Sequence, residues 1–111
     1  MSVTTSLKPA VFHILLALSG RDLHGLGIAD SVEQATDGSV LLGPGTLYRS
    51  LKEMMQAGLI SETVAPEGEA DPRRRFYRIT EEGRVAVTDE ATRMERLVEV
   101  ARSHRVLPER P

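Results

Sequence analysis

Apolar residues recur along this chain with two different periods, and the change of period divides it into elements. From Leu7 to Leu18 nearly every position is apolar, with Val11, Phe12, Ile14, Leu15, Leu16 and Leu18. Pro9 suits the first turn of a helix there, and Ser19-Gly20 stops it. A helix apolar on most sides is buried on most sides, which predicts packing against the domain and against a second chain. The same run, following Lys8, resembles the apolar stretch of a signal peptide, with Ala17-Leu18-Ser19 as a weak cleavage candidate. His13 interrupts it, it is too short to span a bilayer, and the chain lacks the cysteines that small secreted domains usually carry. It therefore reads as a core helix, preceded by a frayed start from Met1 to Ser6. Arg21 to Gly25 reads as a polar connector. A second helix follows over roughly Leu26 to Thr36, with Ile28, Ala29, Val32 and Ala35 inward and Asp37-Gly38 as its stop. Val40-Leu41-Leu42 is a short apolar run, suited to a brief strand or to filling core. Gly43 to Gly58 then forms one short helix with Pro44 in its first turn and Gly58 as C-cap. At about 100° per residue, Leu47, Leu51, Met54 and Met55 share one stripe. Tyr48, Arg49, Lys52, Glu53 and Gln56 lie on the other face.

After Ile60 the period changes to two: Ile60, Glu62 and Val64 alternate with Ser61, Thr63 and Ala65, as on a half-buried strand. Pro66 to Pro72 is a loop free of apolar bulk, and Arg73 to Ile79 reads as a returning strand rich in cations and aromatics. The two runs make a β-hairpin. Thr80 is a good N-cap for a last helix, and Glu81 and Glu82 suit the positive end of its dipole. Along it Val87, Ala91, Met94, Val98 and Ala101 recur at alternating spacings of four and three, with Leu97 widening the stripe. Glu90, Arg93, Glu95, Arg96, Glu99 and Arg102 form an outer face of mixed sign. Such a helix has no evident core of its own. A second copy is the economical partner, giving a two-fold dimer, with folding back onto its own domain as the alternative. The expected architecture is mainly α with a small β-hairpin. Residues 1–80 form a winged helix-turn-helix domain, 81–106 a C-terminal dimerisation helix and 107–111 a flexible tail.

Composition modifies this picture in three places. At 111 residues with four aromatics, the chain suits one domain with an aliphatic core plus an appended helix. The absence of cysteine excludes disulfides and thiolate metal sites and suits a cytoplasmic protein. The net charge of −2 is not that of an obvious nucleic-acid binder. Yet the cations are segregated: of fourteen, only Lys8 and Arg21 precede the Gly43–Gly58 helix, and six fall between Arg49 and Arg78. Arginine outnumbers lysine twelve to two, which favours bidentate phosphate or guanine contacts but equally reflects a GC-rich genome. Two short helices joined by a turn and followed by a hairpin are ordered as in a winged helix. Thr46, Tyr48, Arg49 and Lys52 would then face a DNA major groove, and Arg73, Arg74 and Arg75 the backbone or minor groove. Glu67, Glu69 and Asp71 at the hairpin tip would oppose such contacts unless the tip turns away. No enzymatic arrangement is present. His13, His24 and His104 share no metal-ligand spacing, and read as a core or interface residue, a turn or capping residue and a solvated residue. Gly25-Leu26-Gly27 lacks a third glycine, no lysine follows the second glycine of Gly43-Pro44-Gly45-Thr46, and Ser31, Ser39 and Ser50 have no histidine partner by spacing. No cofactor or metal is expected.

The segment Leu41-Leu42-Gly43-Pro44-Gly45-Thr46-Leu47-Tyr48-Arg49-Ser50-Leu51-Lys52, with Gly58-Leu59-Ile60, resembles the reader-helix block of PadR-type transcriptional regulators. Arg74-Arg75-Phe76-Tyr77-Arg78-Ile79-Thr80-Glu81-Glu82-Gly83 is similar to the same family's junction between wing and last helix, and His24-Gly25 also fits. The resemblance implies a winged-helix homodimer that represses transcription by covering a pseudo-palindromic operator in double-stranded DNA. It implies further that the last helix makes the dimer with help from the first, as in the branch of the family with a small C-terminal domain. Leu26 stands where the family often has tyrosine, and the last helix carries no aromatic. A small hydrophobic effector would therefore need a Met/Leu/Val-lined pocket rather than ring stacking; its identity is open. The alternative from another class is a winged-helix protein-interaction module without DNA binding, which the acidic hairpin tip and net charge favour. No membrane association is expected.

Overall fold

The computed structural model describes residues 6–110, in which four helices surround a three-stranded antiparallel sheet. The stretch read as a frayed start lies outside the described residues except for Ser6, as does Pro111 at the other end. Helix α1 (Pro9–Gly20) packs against every later helix and the central strand, because apolar side chains leave it in nearly all directions. Ile14, Leu15 and Leu18 are fully buried, each contributing on the order of 1.5–3 kcal/mol by leaving water. Leu16 is the exception, 44% exposed on an otherwise covered helix.

The connector after α1 contains a strand that the pattern did not reveal. Strand β1 (Leu23–His24) is two residues long and pairs with the later strand β3 (Phe76–Ile79), Leu23 opposite Tyr77 and His24 opposite Phe76. Two residues are too few for any period to show. Helix α2 (Gly25–Ala35) buries Ile28 and Val32 and half-buries Ala29, but leaves Ala35 exposed where an inward position was expected. It ends at Asp37 and Gly38, both in the left-handed region at φ 55° and 80°, with the Gly38 N–H donating to the Glu33 carbonyl at 2.8 Å. Val40 to Leu42 forms no strand. Val40 and Leu42 are half-buried against the core while Leu41 points to solvent.

Helix α3 (Pro44–Gln56) starts and stops where the sequence indicated. Leu47, Leu51 and Met54 are buried and Met55 lies partly against them. Gly58, at φ 76°, closes it: its N–H donates to the Met55 carbonyl at 3.1 Å, and the Leu59 N–H to the Met54 carbonyl at 2.9 Å. Strand β2 (Ile60–Thr63) pairs with β3, which lies between β1 and β2. The expected alternation on the first strand is weaker than its sequence, since Ser61, Glu62 and Val64 are all exposed and only Ile60 enters the core. Arg73 to Arg75 precede β3 in the loop rather than forming its first residues.

Helix α4 (Glu81–Ser103) has 23 residues, about 34 Å at 1.5 Å per residue. Its start is fastened to the turn that follows α3. The Thr80 hydroxyl donates to the Gly58 carbonyl at 2.6 Å and accepts the Gly83 N–H at 3.1 Å, while the Thr80 N–H donates to the Leu59 carbonyl at 3.0 Å. Gly83 permits this approach, since a Cβ there would fall 2.2 Å from the Leu59 carbonyl oxygen. The first half of α4 does fold back onto α1, with Val87 buried. Beyond that contact, Met94, Leu97 and Val98 are exposed.

Glu90 corrects the expected outer face. It is 8% exposed, accepts the Leu7 N–H at 2.9 Å and an Arg93 N–H at 2.7 Å, and so fastens the segment before α1 to α4. The Leu7 hydrogen bond, then that of Arg93, holds this carboxyl below its usual range against the opposing effect of burial. The native state thus takes up this proton less readily than the unfolded chain. The stabilisation is complete above the ordinary carboxylate range and is lost as pH falls through the native value. In urea melts, Glu90→Gln is expected to be less stable than wild type at about pH 7, the gap narrowing toward about pH 3. A gap that stays constant with pH would remove Glu90 from the acid response.

Candidate nucleic-acid interface

The polar face of α3 is directed away from the core. Thr46, Tyr48, Arg49 and Lys52 are all exposed, and the apolar stripe behind them fixes the helix axis. Among the described residues neither Arg49 nor Lys52 forms an ion pair within 4.0 Å. Glu53, on the flank, pairs instead with Lys8 at 3.6 Å. Both cations therefore remain available to phosphates or to the acceptors of guanine.

Tyr48 stands apart from these two. Though 55% exposed, it leans across the start of α2, where a Cβ on Gly25 would lie 2.5 Å from its hydroxyl oxygen. Only a residue without a side chain at position 25 lets the ring lie there. Tyr48 thus belongs to the seam between α3, α2 and the hairpin rather than to the outermost row of the helix.

The hairpin arginines carry counter-ions supplied by their own neighbourhood. Arg73 pairs with Asp71 at 3.3 Å, Arg74 with Glu69 at 3.4 Å and Arg75 with Glu62 at 3.5 Å. The acids of the tip therefore position the cations rather than only opposing them. All three arginines remain exposed, so screening by water leaves each pair weak and exchangeable. Arg78, on β3, is held more firmly. Its Nε and Nη2 form a fork on the Asp22 carboxylate, with a shortest distance of 2.8 Å, and these hydrogen bonds raise its pKa further. It ties the hairpin to the chain before β1.

His24 is the residue whose site the sequence least foretold. It caps α2, its Nδ1 accepting the Gly27 N–H at 3.1 Å, as its position before Gly25 suggested. Its ring also stands edge-on to Phe76, centroids 5.2 Å apart, and its Nε2 lies 3.1 Å from Nη1 of Arg74. The pairing of β1 with β3 brings these residues together across fifty positions of sequence. His13 is half-buried beside Phe12, and His104 is exposed at the end of α4. Of the stripe expected at a dimer interface, Val87 is already covered within the chain. Ala91, Met94, Leu97 and Val98 are exposed and Ala101 is half-buried. Leu97 is 67% exposed. A groove of about 250 Å³ lined by Leu16, Val87, Thr88 and Ala91 extends the stripe toward α1.

Two short helices, the second presenting cations that are unpaired among the described residues, followed by an arginine-bearing hairpin paired to a third strand, define a winged helix-turn-helix protein. Residues 14–89 match the family described as the transcriptional regulator PadR-like family, and the chain belongs to it. The chain is 33% identical over 86 residues to the transcriptional regulator Rv3488 of Mycobacterium tuberculosis, covering 77% of this chain and 75% of that protein. Among solved structures, a PadR family transcription regulator from Clostridium difficile R20291 superposes with a TM-score of 0.72 at 26% identity, covering 87% of this chain and 98% of the other. Bacillus subtilis PadR in complex with operator DNA superposes with a TM-score of 0.63 at 20% identity over 74% of this chain and 46% of that one. At that identity the likeness concerns the fold. No helix among the described residues is long and apolar enough to cross a membrane.

Proposed function

We propose that the protein is a sequence-specific DNA-binding repressor that acts as a homodimer on a pseudo-palindromic operator. The observation that carries this reading is the face of α3, where Arg49 and Lys52 are exposed and, among the described residues, without counter-ions, beside a hairpin loop bearing Arg73, Arg74 and Arg75. Residues 1–80 form the DNA-binding unit, in which Thr46, Arg49 and Lys52 enter the major groove. Tyr48 reaches the groove wall, and Arg73, Arg74 and Arg75 hold the backbone, exchanging their carboxylate partners for phosphates. Residues 81–106 supply the dimer seam through Ala91, Met94, Leu97, Val98 and Ala101 with the edge of Val87, and 107–111 is a tail outside it. Bacillus subtilis PadR has been captured with operator DNA, which supports the same mode here. Release by a small hydrophobic effector at the seam is compatible with its aliphatic lining.

A gel shift against the DNA upstream of the protein's own coding sequence, across a salt series, tests the reading. The expected result is a sequence-dependent shift whose affinity falls steeply as salt rises. Absence of a shift at low salt, together with recovery of a defined protein partner, would favour a protein-interaction module instead.

A further inference from the structure

We propose that the cavity between the first turn of α2, helix α3 and the hairpin is the seat of one backbone phosphate of duplex DNA, held by His24, Arg74 and Arg75 with the Tyr48 and Tyr77 hydroxyls. This rests on the DNA-binding reading above and assigns a partner to groups that lie off the exposed row of α3.

The first observation concerns hydrogen-bond donors. A neutral imidazole has one donor and one acceptor nitrogen. His24 Nδ1 is committed as acceptor to the Gly27 N–H, so its proton sits on Nε2. Arg74 Nη1, which can only donate, lies 3.1 Å from that same Nε2. Two donors therefore face each other at hydrogen-bonding distance, and protonating the ring adds a second positive charge. An oxyanion beside both resolves the conflict, because its several lone pairs accept from each.

The second observation is the cavity itself, about 220 Å³, walled by His24, Gly25, Tyr48, Arg74, Arg75 and Tyr77, with no carboxylate in its lining. A water takes about 30 Å³, so a tetrahedral oxyanion fits with solvent to spare. Glu69 meets Arg74 from a neighbouring groove that includes Asp22 and Pro66, and Glu62 meets Arg75 from β2. The acids thus hold the guanidinium groups from outside the seat.

A third observation is independent of both. Tyr77 is 3% exposed as a residue, but its hydroxyl is not among the buried unpartnered polar atoms; the residue lines this cavity, and among the described residues the hydroxyl makes no hydrogen bond. The hydroxyl is therefore a donor without a protein partner, which an acceptor in the cavity can engage. Burial, reinforced by the Glu62 carboxylate, pushes the Tyr77 phenol pKa up, so it remains an O–H donor at neutral pH. Gly25, the first residue of α2, adds the positive end of the helix dipole beneath the Tyr48 hydroxyl. The seat lies between the helix and the hairpin that would straddle one DNA strand, which favours a phosphodiester over a free anion.

His24→Asn tests the seat while keeping the helix cap. Asparagine keeps an acceptor for the capping bond to Gly27 but is too short to reach Arg74, and it gives up the edge contact with Phe76. The expected result is a melting temperature lowered by only a few degrees and an unchanged oligomeric state, with affinity at a temperature well below melting reduced about tenfold or more on operator and random duplex alike. A neutral donor releases no counterion, so the slope of log K against log salt should change little in this variant, whereas Arg74→Ala should lower both the affinity and the slope, the slope by about one. The double variant should lose little more affinity than Arg74→Ala, since both groups act on one phosphate. If the wild type binds with steep salt dependence while His24→Asn keeps its affinity, the seat is wrong and the DNA-binding reading stands. If the wild type binds no duplex, both fail. Titration of inorganic phosphate against the His24 imidazole resonances separates the sources. Tight saturation by phosphate alone, unaffected by duplex, would assign the cavity to a free anion and overturn the proposal.

Discussion

Replacing Arg49 and Lys52 together by alanine is expected to abolish operator binding and to leave fold and oligomeric state intact. Both side chains leave the polar face of α3, and neither forms an ion pair among the described residues. Their removal leaves no buried charge unpaired, and Leu47, Leu51 and Met54 still hold the helix in the core. Alanine is also the best helix former, so α3 loses nothing locally. At about 1–3 kcal/mol for each contact, the pair is worth roughly 30- to 10⁴-fold in affinity per protomer. The single variants divide the labour. Loss at a guanine relaxes specificity at one base pair, whereas loss at a phosphate weakens all duplexes equally and lowers the salt slope. Light scattering and fluorescence anisotropy measure the two sides of this expectation. Dissociation of the oligomer in the double variant would make α3 a structural helix, and retained affinity would move recognition elsewhere.

The second large effect is expected at the proposed dimer seam. Met94→Glu combined with Leu97→Glu introduces two carboxylates into an exposed aliphatic stripe, with two more across a two-fold axis. Neither position is packed inside its own chain, so the protomer should melt as before while sedimenting as a monomer. DNA affinity should then fall by orders of magnitude, and the salt slope should drop to about half, because one half-site's phosphate contacts remain. A variant that sediments as wild type would place the interface elsewhere on α1 or α4.

What the sequence disclosed and what it withheld follow from the range of the forces involved. Helices α3 and α4 were legible because their signals are local: Pro44, Gly58 and Thr80 act on the backbone within four residues, and the apolar stripes are periodic. The order of helix, helix and hairpin was legible for the same reason. Strand β1 was not, because its two residues owe their conformation to β3, more than fifty positions away. The partner of Glu90 is likewise a backbone N–H at Leu7, distant by 83 residues, and nothing in the alternation of charges on α4 marks it. At the candidate site, exposure of Arg49 and Lys52 could be read from helical phase. The carboxylate beside each hairpin arginine, and the convergence of His24 with Arg74, depend on how the loop folds back and are invisible to spacing. Tyr48 illustrates the limit well: its phase is that of a groove-facing residue, yet the absence of a side chain at Gly25 draws its hydroxyl sideways.

The junction at Thr80 has a mechanical consequence. One threonine joins the carbonyls of Gly58 and Leu59, in the turn that closes α3, to the first turn of α4, and Gly83 lets the α4 backbone come close to that turn. The start of α4 is thereby tied to the turn that ends α3. In the proposed homodimer, a twist of one α4 against its counterpart would reach the end of α3 through this turn and change the distance between the two α3 helices. DNA fixes that distance at one helical repeat. On that proposal, a molecule lodged at the dimer seam would loosen the grip on DNA while remaining remote from every base, with the bonds of Thr80 as the link that carries the strain.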